Sequence, residues 1–171
     1  MNVKNWAALA LGVWGAALSG CKEDDPIPAI TQASLLAGPS NQSKTWKLTS
    51  GSVAFSGQPA IPFALDPCFG DNIYIFYNNA SQDYEGQEGL SKCSVSDPTV
   101  IEKGSWFFSV DGMMVIISAD ETFSQNGLFS SLFGLTAPMK VVELTDTTME
   151  LEMTQVDGTD SIKYTFEFTK Q

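Results

Sequence analysis

Cys21, Cys68 and Cys93 are the only thiols in a chain of 171 residues that contains no histidine and no arginine. Those two absences restrict its chemistry severely. Without histidine there is no Ser-His-Asp or Cys-His relay, and the commonest zinc ligand is missing. Without arginine there is no bidentate clamp for phosphate or carboxylate. Nine lysines stand against twenty acids, a formal charge of −11. A surface of that sign repels nucleic acid, so no nucleic-acid partner is expected. No cofactor motif is present, and a metal site would need more soft ligands than the chain offers. The reactive inventory reduces to three thiols and to carboxylates that lie near tyrosines.

The environment of Cys21 is the most informative. Lys4 is followed by an almost purely apolar run from Trp6 to Leu18. Thirteen helical residues cover only about 20 Å, too short for a hydrocarbon core of about 30 Å. A basic start, a short apolar stretch and the small residues Ser19-Gly20 describe a secretory signal peptide over 1–20. Leu18-Ser19-Gly20-Cys21 resembles the bacterial lipobox, which implies cleavage before Cys21 and acylation of its thiol and new amine. Several acyl chains, each methylene contributing about 0.8 kcal/mol on burial, form a durable membrane anchor. The alternative is an ordinary cleaved signal with an incidental cysteine. Lys22-Glu23-Asp24-Asp25 resembles the surface-export signal of lipoproteins in one phylum of Gram-negative bacteria, although a solvated charge run accounts for the same residues. The expected location is the outer membrane, facing outward.

In an exported protein the remaining pair, Cys68 and Cys93, forms a disulfide by default. Closing a loop of that length contributes about 3–4 kcal/mol by the chain-entropy estimate. Two buried free thiols are the other reading. The loop contains Asp83-Tyr84-Glu85-Gly86-Gln87-Glu88-Gly89, with Tyr74 and Tyr77 nearby. Acids beside tyrosines suit sugar hydroxyls or a calcium ion, and two carboxylates suffice for a glycosidase. A solvated hairpin tip explains them more cheaply, since nothing fixes two acids across a cleft. No enzymatic activity is expected. Asp146-Thr147-Thr148 and Asp160-Ser161-Ile162 also resemble short O-glycosylation sites of that phylum, patterns brief enough to arise by chance.

These residues must be positioned by strands. Removal of 1–20 leaves 151 residues, eight lysines and twenty acids, a net charge of −12 and the length of one domain plus a linker. Residues 21–42, punctuated by Pro26, Pro28 and Pro39, read as lipidated N-terminus and flexible linker. A short helical turn is expected within them over Thr31 to Ala37, with Leu35 and Leu36 docking on the domain. From residue 43 to 171 the hydrophobic period becomes two. In Ser161 to Thr169, Ile162, Tyr164, Phe166 and Phe168 share one face; in Thr148 to Gln155, Met149, Leu151 and Met153 do so. Asp157-Gly158 joins these two strands as a hairpin. Further strands read at Thr45 to Thr49, Asn72 to Tyr77, Asp83 to Glu85, Gly104 to Val110, Met113 to Ser118 and Met139 to Leu144, with turns at Asp111-Gly112 and Asp146-Thr147. Sequential hairpins predict an all-β meander, a barrel or a sandwich, and closure into a barrel of about eight strands removes exposed edges.

Gly127 to Leu135 interrupts this pattern. Leu128, Leu132 and Leu135, with Phe129 and Phe133, give a short helix an apolar stripe. Such a helix acts as a lid, or as a patch for lipid or a partner, or simply plugs the barrel. The last reading is the more economical.

The order Lys44-Thr45-Trp46-Lys47-Leu48-Thr49, Cys68, Asp71-Asn72-Ile73-Tyr74-Ile75-Phe76, Cys93, Gly104-Ser105-Trp106, Val142-Glu143-Leu144-Thr145 and Met149-Glu150-Leu151 resembles the lipocalin-like lipoproteins of that bacterial phylum. The resemblance runs from about Leu35 to Lys170 and implies a small antiparallel up-and-down β-barrel. The chain departs from authentic lipocalins. The Gly-x-Trp of their first strand is absent, the arginine over that tryptophan cannot exist, and Trp46 is expected as a floor plug. Ligand transport is therefore not inherited with the fold. The functional expectation is a non-enzymatic binding module for a small apolar or amphipathic ligand, with Trp106, Phe108, Phe129 and Phe133 as candidate contacts. The alternative is a structural or accessory lipoprotein with a solid barrel whose loops bind a surface glycan or a protein partner.

Overall fold

The computed structural model describes residues 28–121 and 127–171. The export segment, Cys21 and the acidic run behind it lie outside the described residues. Along the rest the order is α1 (Ala29–Ala37), β1 (Ser43–Phe55), β2 (Ile61–Pro62), α2 (Pro67–Gly70), β3 (Ile73–Tyr77), β4 (Asp83–Gln87), β5 (Val100–Phe108), β6 (Met114–Ala119), α3 (Leu128–Phe133), β7 (Thr136–Leu144), β8 (Thr148–Asp157) and β9 (Asp160–Lys170).

From β3 onward each strand pairs antiparallel with its sequence neighbour, and β9 returns to β1 from Trp46↔Lys170 to Phe55↔Ile162. The result is a closed, eight-stranded, antiparallel up-and-down barrel, as the alternation predicts. The two-residue β2 is an addition on the edge of β1. All eight expected strands are present and most run longer than their apolar alternation. β1 in particular continues through Gly51 to Phe55, where polar and small residues hide its period.

Closure sorts the connections into two ends. One end carries the tight turns after β3, β5 and β7, together with α1 and the end of β9. The other carries the three long connections, 56–72, 88–99 and 120–135, and the β8–β9 hairpin at Gly158, whose φ is 64°. A disulfide between Cys68 and Cys93, with Cα atoms 5.0 Å apart, ties the first two long connections together. It forms as the oxidising-compartment reading expects.

α1 seals the tight-turn end. A nine-residue helix is marginal alone, and this one is held through its carbonyls. Lys44 Nζ donates to the Leu35 carbonyl at 2.8 Å, and Trp46 Nε1 donates to that of Leu36 at 2.8 Å. Asn78 Nδ2 donates to the Gly38 carbonyl at 2.6 Å, and Gly38 (φ 83°) ends the helix. Leu36 and Ala37 are fully buried beside Trp46. The linker expected across 21–42 therefore contains part of the folded unit, because two apolar side chains and three donors compensate the ordering of this helix.

The barrel is filled. Trp46, Tyr74, Phe76, Tyr84, Trp106, Phe166 and Phe168 are each at most 1 % exposed. Burial contributes about 1.5–3 kcal/mol for a large apolar side chain, so these rings dominate the core. Ring contacts run in one chain through the interior: Trp106 edge-on to Phe76 at 6.3 Å, Phe76 tilted against Tyr84 at 5.1 Å, and Tyr84 edge-on to Phe129 at 5.8 Å.

Candidate functional site: an apolar groove at the open end

β3 covers β1 only from Ser43 to Lys47, which leaves the far half of that edge of β1 without a full-length partner. β2 pairs there with Ser52 and Val53, and the chain then folds inward. Phe63 N–H donates to the Gly51 carbonyl at 3.1 Å, and the Phe63 ring lies over Gly51. A Cβ on Gly51 would run into that ring, so glycine here permits the close approach. Asp66 then caps α2, its carboxylate accepting from Cys68 N–H at 3.2 Å, with Pro67 in the first turn. That cap sets Phe69 at the rim.

Opposite this loop stands the outer face of α3. Leu128 and Leu132 face Phe63, Leu65 and Phe69, with Leu48 among the lining side chains. The groove has a volume of 310 Å³, at the lower end of the range for small-molecule sites. Among the described residues, Asp66 and Ser131 are its polar side chains. Such a lining favours a compact apolar body and offers a hydrogen-bonding group at the margin.

A buried polar group holds α3 in place. Glu102 is 0 % exposed. One of its oxygens accepts from the Tyr84 hydroxyl at 2.7 Å, and the other accepts from Ser130 N–H, in the first turn of α3, at 2.7 Å. Gly127 passes so close to Glu102 that any Cβ would strike the carboxylate. Phe129 fills the barrel centre against Tyr74, Tyr84, Phe166 and Phe168. Gln155 Nε2 donates to the Leu132 carbonyl at 3.2 Å from the β8–β9 side. Burial, then the charge of Glu102, pushes the Tyr84 and Tyr74 phenols well up from 10.0.

The four aromatic residues expected as ligand contacts fall into two separate pairs. Trp106 and Phe108 pack edge-on, ring centroids 5.8 Å apart, toward the tight-turn end, and Trp106 Nε1 donates to the Tyr77 carbonyl at 3.2 Å. Phe129 and Phe133 belong to the inner face of α3, where Phe133 packs on Tyr164 and Phe166. None of the four lines the groove. The helix itself was legible, and its leucine side rather than its phenylalanine side faces the groove. Phe63, Leu65 and Phe69 were missed. The signal for them was three large apolar residues around Pro67, Phe63 and Leu65 before it and Phe69 after it, too many for a solvated loop.

The acids and tyrosines of the disulfide loop divide by face. Tyr74 and Tyr84 point into the barrel, whereas Tyr77, Asp83 and Glu85 line a separate polar concavity of 530 Å³ with Asn79, Lys103 and Asp120. Asn79 Nδ2 donates to Asp83 at 2.6 Å, and Gln87 Nε2 donates to Glu85 at 3.0 Å. Partial burial, then Glu85 and Asp83, raises the Tyr77 phenol. Neither a protein-family model nor a curated protein matches this sequence.

Proposed function

We propose that the chain is a lipocalin-like bacterial lipoprotein, anchored by lipid on Cys21 to the outer membrane and exposed at the cell surface. Its barrel serves as a non-enzymatic binding module for a small apolar or amphipathic molecule, held in the groove between residues 63–69 and α3. The lipobox-like Leu18-Ser19-Gly20-Cys21 behind an apolar run supports the anchor. The observation that carries the binding reading is the groove itself: an apolar concavity at the open end, walled by a disulfide-tied loop on one side and a glycine-flanked helix on the other. The aromatic rings packed inside the barrel support this mouth, rather than the lumen, as the place of binding.

Native mass spectrometry of the exported chain tests it. A discrete added mass, lost on denaturation, is expected, together with saturable displacement of an environment-sensitive apolar dye. Dye that binds without saturation and resists displacement would refute the groove as a site.

A second reading rests on a different observation. Buried aromatic rings pack the interior among the described residues, and Tyr77, Asn79, Asp83 and Glu85 form a polar concavity on the barrel wall. That lining suits the hydroxyls of a surface glycan, in which case the barrel is a scaffold. Glycan-array binding lost in Tyr77→Ala but retained in Leu132→Glu would favour it over the groove.

A further inference from the structure

We propose that the α1 end of the barrel rests on the membrane that carries the Cys21 lipid, with the groove facing away from it. The inference depends on the anchor reading above and adds a surface and an orientation to it. Cys21 precedes Pro28 by seven residues. Whatever their conformation, seven residues reach at most about 25 Å. β9 has eleven residues. It is about 36 Å long and, tilted at about 40°, builds a wall about 28 Å high. α1 is held at the tight-turn end by Lys44, Trp46 and Asn78, and the groove lies at the other. The tether is therefore too short to bring the open end to the bilayer, and long enough to set the α1 end on it.

That end is furnished for the contact. The turns after β3 and β7 are polar, reading Asn78-Asn79-Ala80-Ser81-Gln82 and Thr145-Asp146-Thr147. The turn after β5 is not: Val110 at its tip is 99 % exposed, flanked by Met113 at 51 % and Phe107 at 47 %. Ile30 on α1 is 79 % exposed at the same end. The turn's one acid is folded back, Asp111 accepting from Ser109 Oγ and from Met113 N–H at 3.0 Å. Asp146 is paired with Lys44 at 2.9 Å. An apolar tip whose neighbouring acids are already bonded suits the boundary between headgroups and acyl chains.

The test uses the full chain, exported and lipidated, in vesicles of phosphatidylethanolamine and phosphatidylglycerol with or without brominated acyl chains. Val110→Trp and Val95→Trp place a reporter at each end, and flotation measures anchoring. Anchored vesicles in which bromine quenches the emission added by Val110→Trp, and leaves that of Val95→Trp intact, are the expected result. Flotation without quenching at position 110, or with equal quenching at both positions, would overturn the docking while leaving the anchor standing. Wild type that fails to float, or floats equally as Cys21→Ser, would overturn the anchor and the docking with it.

Discussion

The Tyr84 hydroxyl donates to the Glu102 carboxylate at 2.7 Å in the barrel interior, while the Tyr74 hydroxyl, equally buried in the same core, has no partner among the described residues. The same chemical change should therefore have opposite consequences at the two sites. Tyr84→Phe removes a bond to a buried charge and should cost about 1.5–3 kcal/mol. Tyr74→Phe removes only a desolvated hydroxyl and should be neutral or stabilising by up to about 1 kcal/mol. Urea midpoints at constant m-value read both directly. Equal destabilisation would contradict the assigned network.

The same two phenols make an alkaline prediction. Burial, with Glu102 adding, raises both above the ordinary value of 10.0. In the unfolded chain they ionise near pH 10, and in the barrel they keep their protons. Their contribution is thus fully present below about pH 10 and is lost as pH rises. The loss is about 1.4 kcal/mol per pH unit for each group, or about 2.7 for the pair. Phenolate absorbance should show Tyr74 and Tyr84 ionising only together with loss of far-ultraviolet β signal. Titration of all four tyrosines in a folded barrel would refute it.

The Cys68–Cys93 bridge joins two long connections at the open end, and Phe69 of the groove adjoins it. Replacing both cysteines by serine should cost about 3–4 kcal/mol. The loss should be local as well as global: dye affinity falls, while the amides of β7, β8 and β9 keep their exchange protection relative to the new global stability. Undiminished dye affinity in the double-serine variant would separate the groove from the bridge.

α1 is part of the barrel. Leu36 is 1 % exposed and Ile30 is 79 % exposed on the same helix. Leu36→Ala should cost about 2–5 kcal/mol, whereas Ile30→Ala in the detergent-free soluble domain should change stability by less than about 0.5 kcal/mol. Thermal or urea unfolding decides it, and a negligible effect of Leu36→Ala would return α1 to the status of a linker.

The strands were legible because burial on one face writes a period of two into the chain. Phe166 and Phe168 against Met149 and Leu151 is the clearest instance, and their registered pairing follows it. Four features were not legible. Glu102 alternates inward with Gly104 and Trp106, but a bulge opposite Gly86 and Gln87 buries Ile101 beside it, which no local pattern announces. The partners of Glu102, Tyr84 and Ser130, stand 18 and 28 residues away and meet it only through the β4–β5 pairing and the docking of α3. Phe63 enters the barrel edge because Gly51 lacks a side chain, a relation between two strands' worth of separated sequence. The α3 stripe carried two faces of comparable apolarity, and tertiary packing alone decided that Phe129 turns inward while Leu132 stays at the surface.

The most direct test of the groove is a fluorescence titration of the soluble barrel with an apolar dye, comparing wild type, Leu132→Glu and Phe107→Glu. Leu132 is 41 % exposed on the groove wall and Phe107 is 47 % exposed on the opposite end, so neither change should unfold the protein. A buried charge in an apolar site costs at least about 1.4 kcal/mol, or tenfold in affinity. The groove predicts one saturable site in wild type, weakened at least tenfold by Leu132→Glu and unchanged by Phe107→Glu. Equal affinity in all three proteins would contradict it.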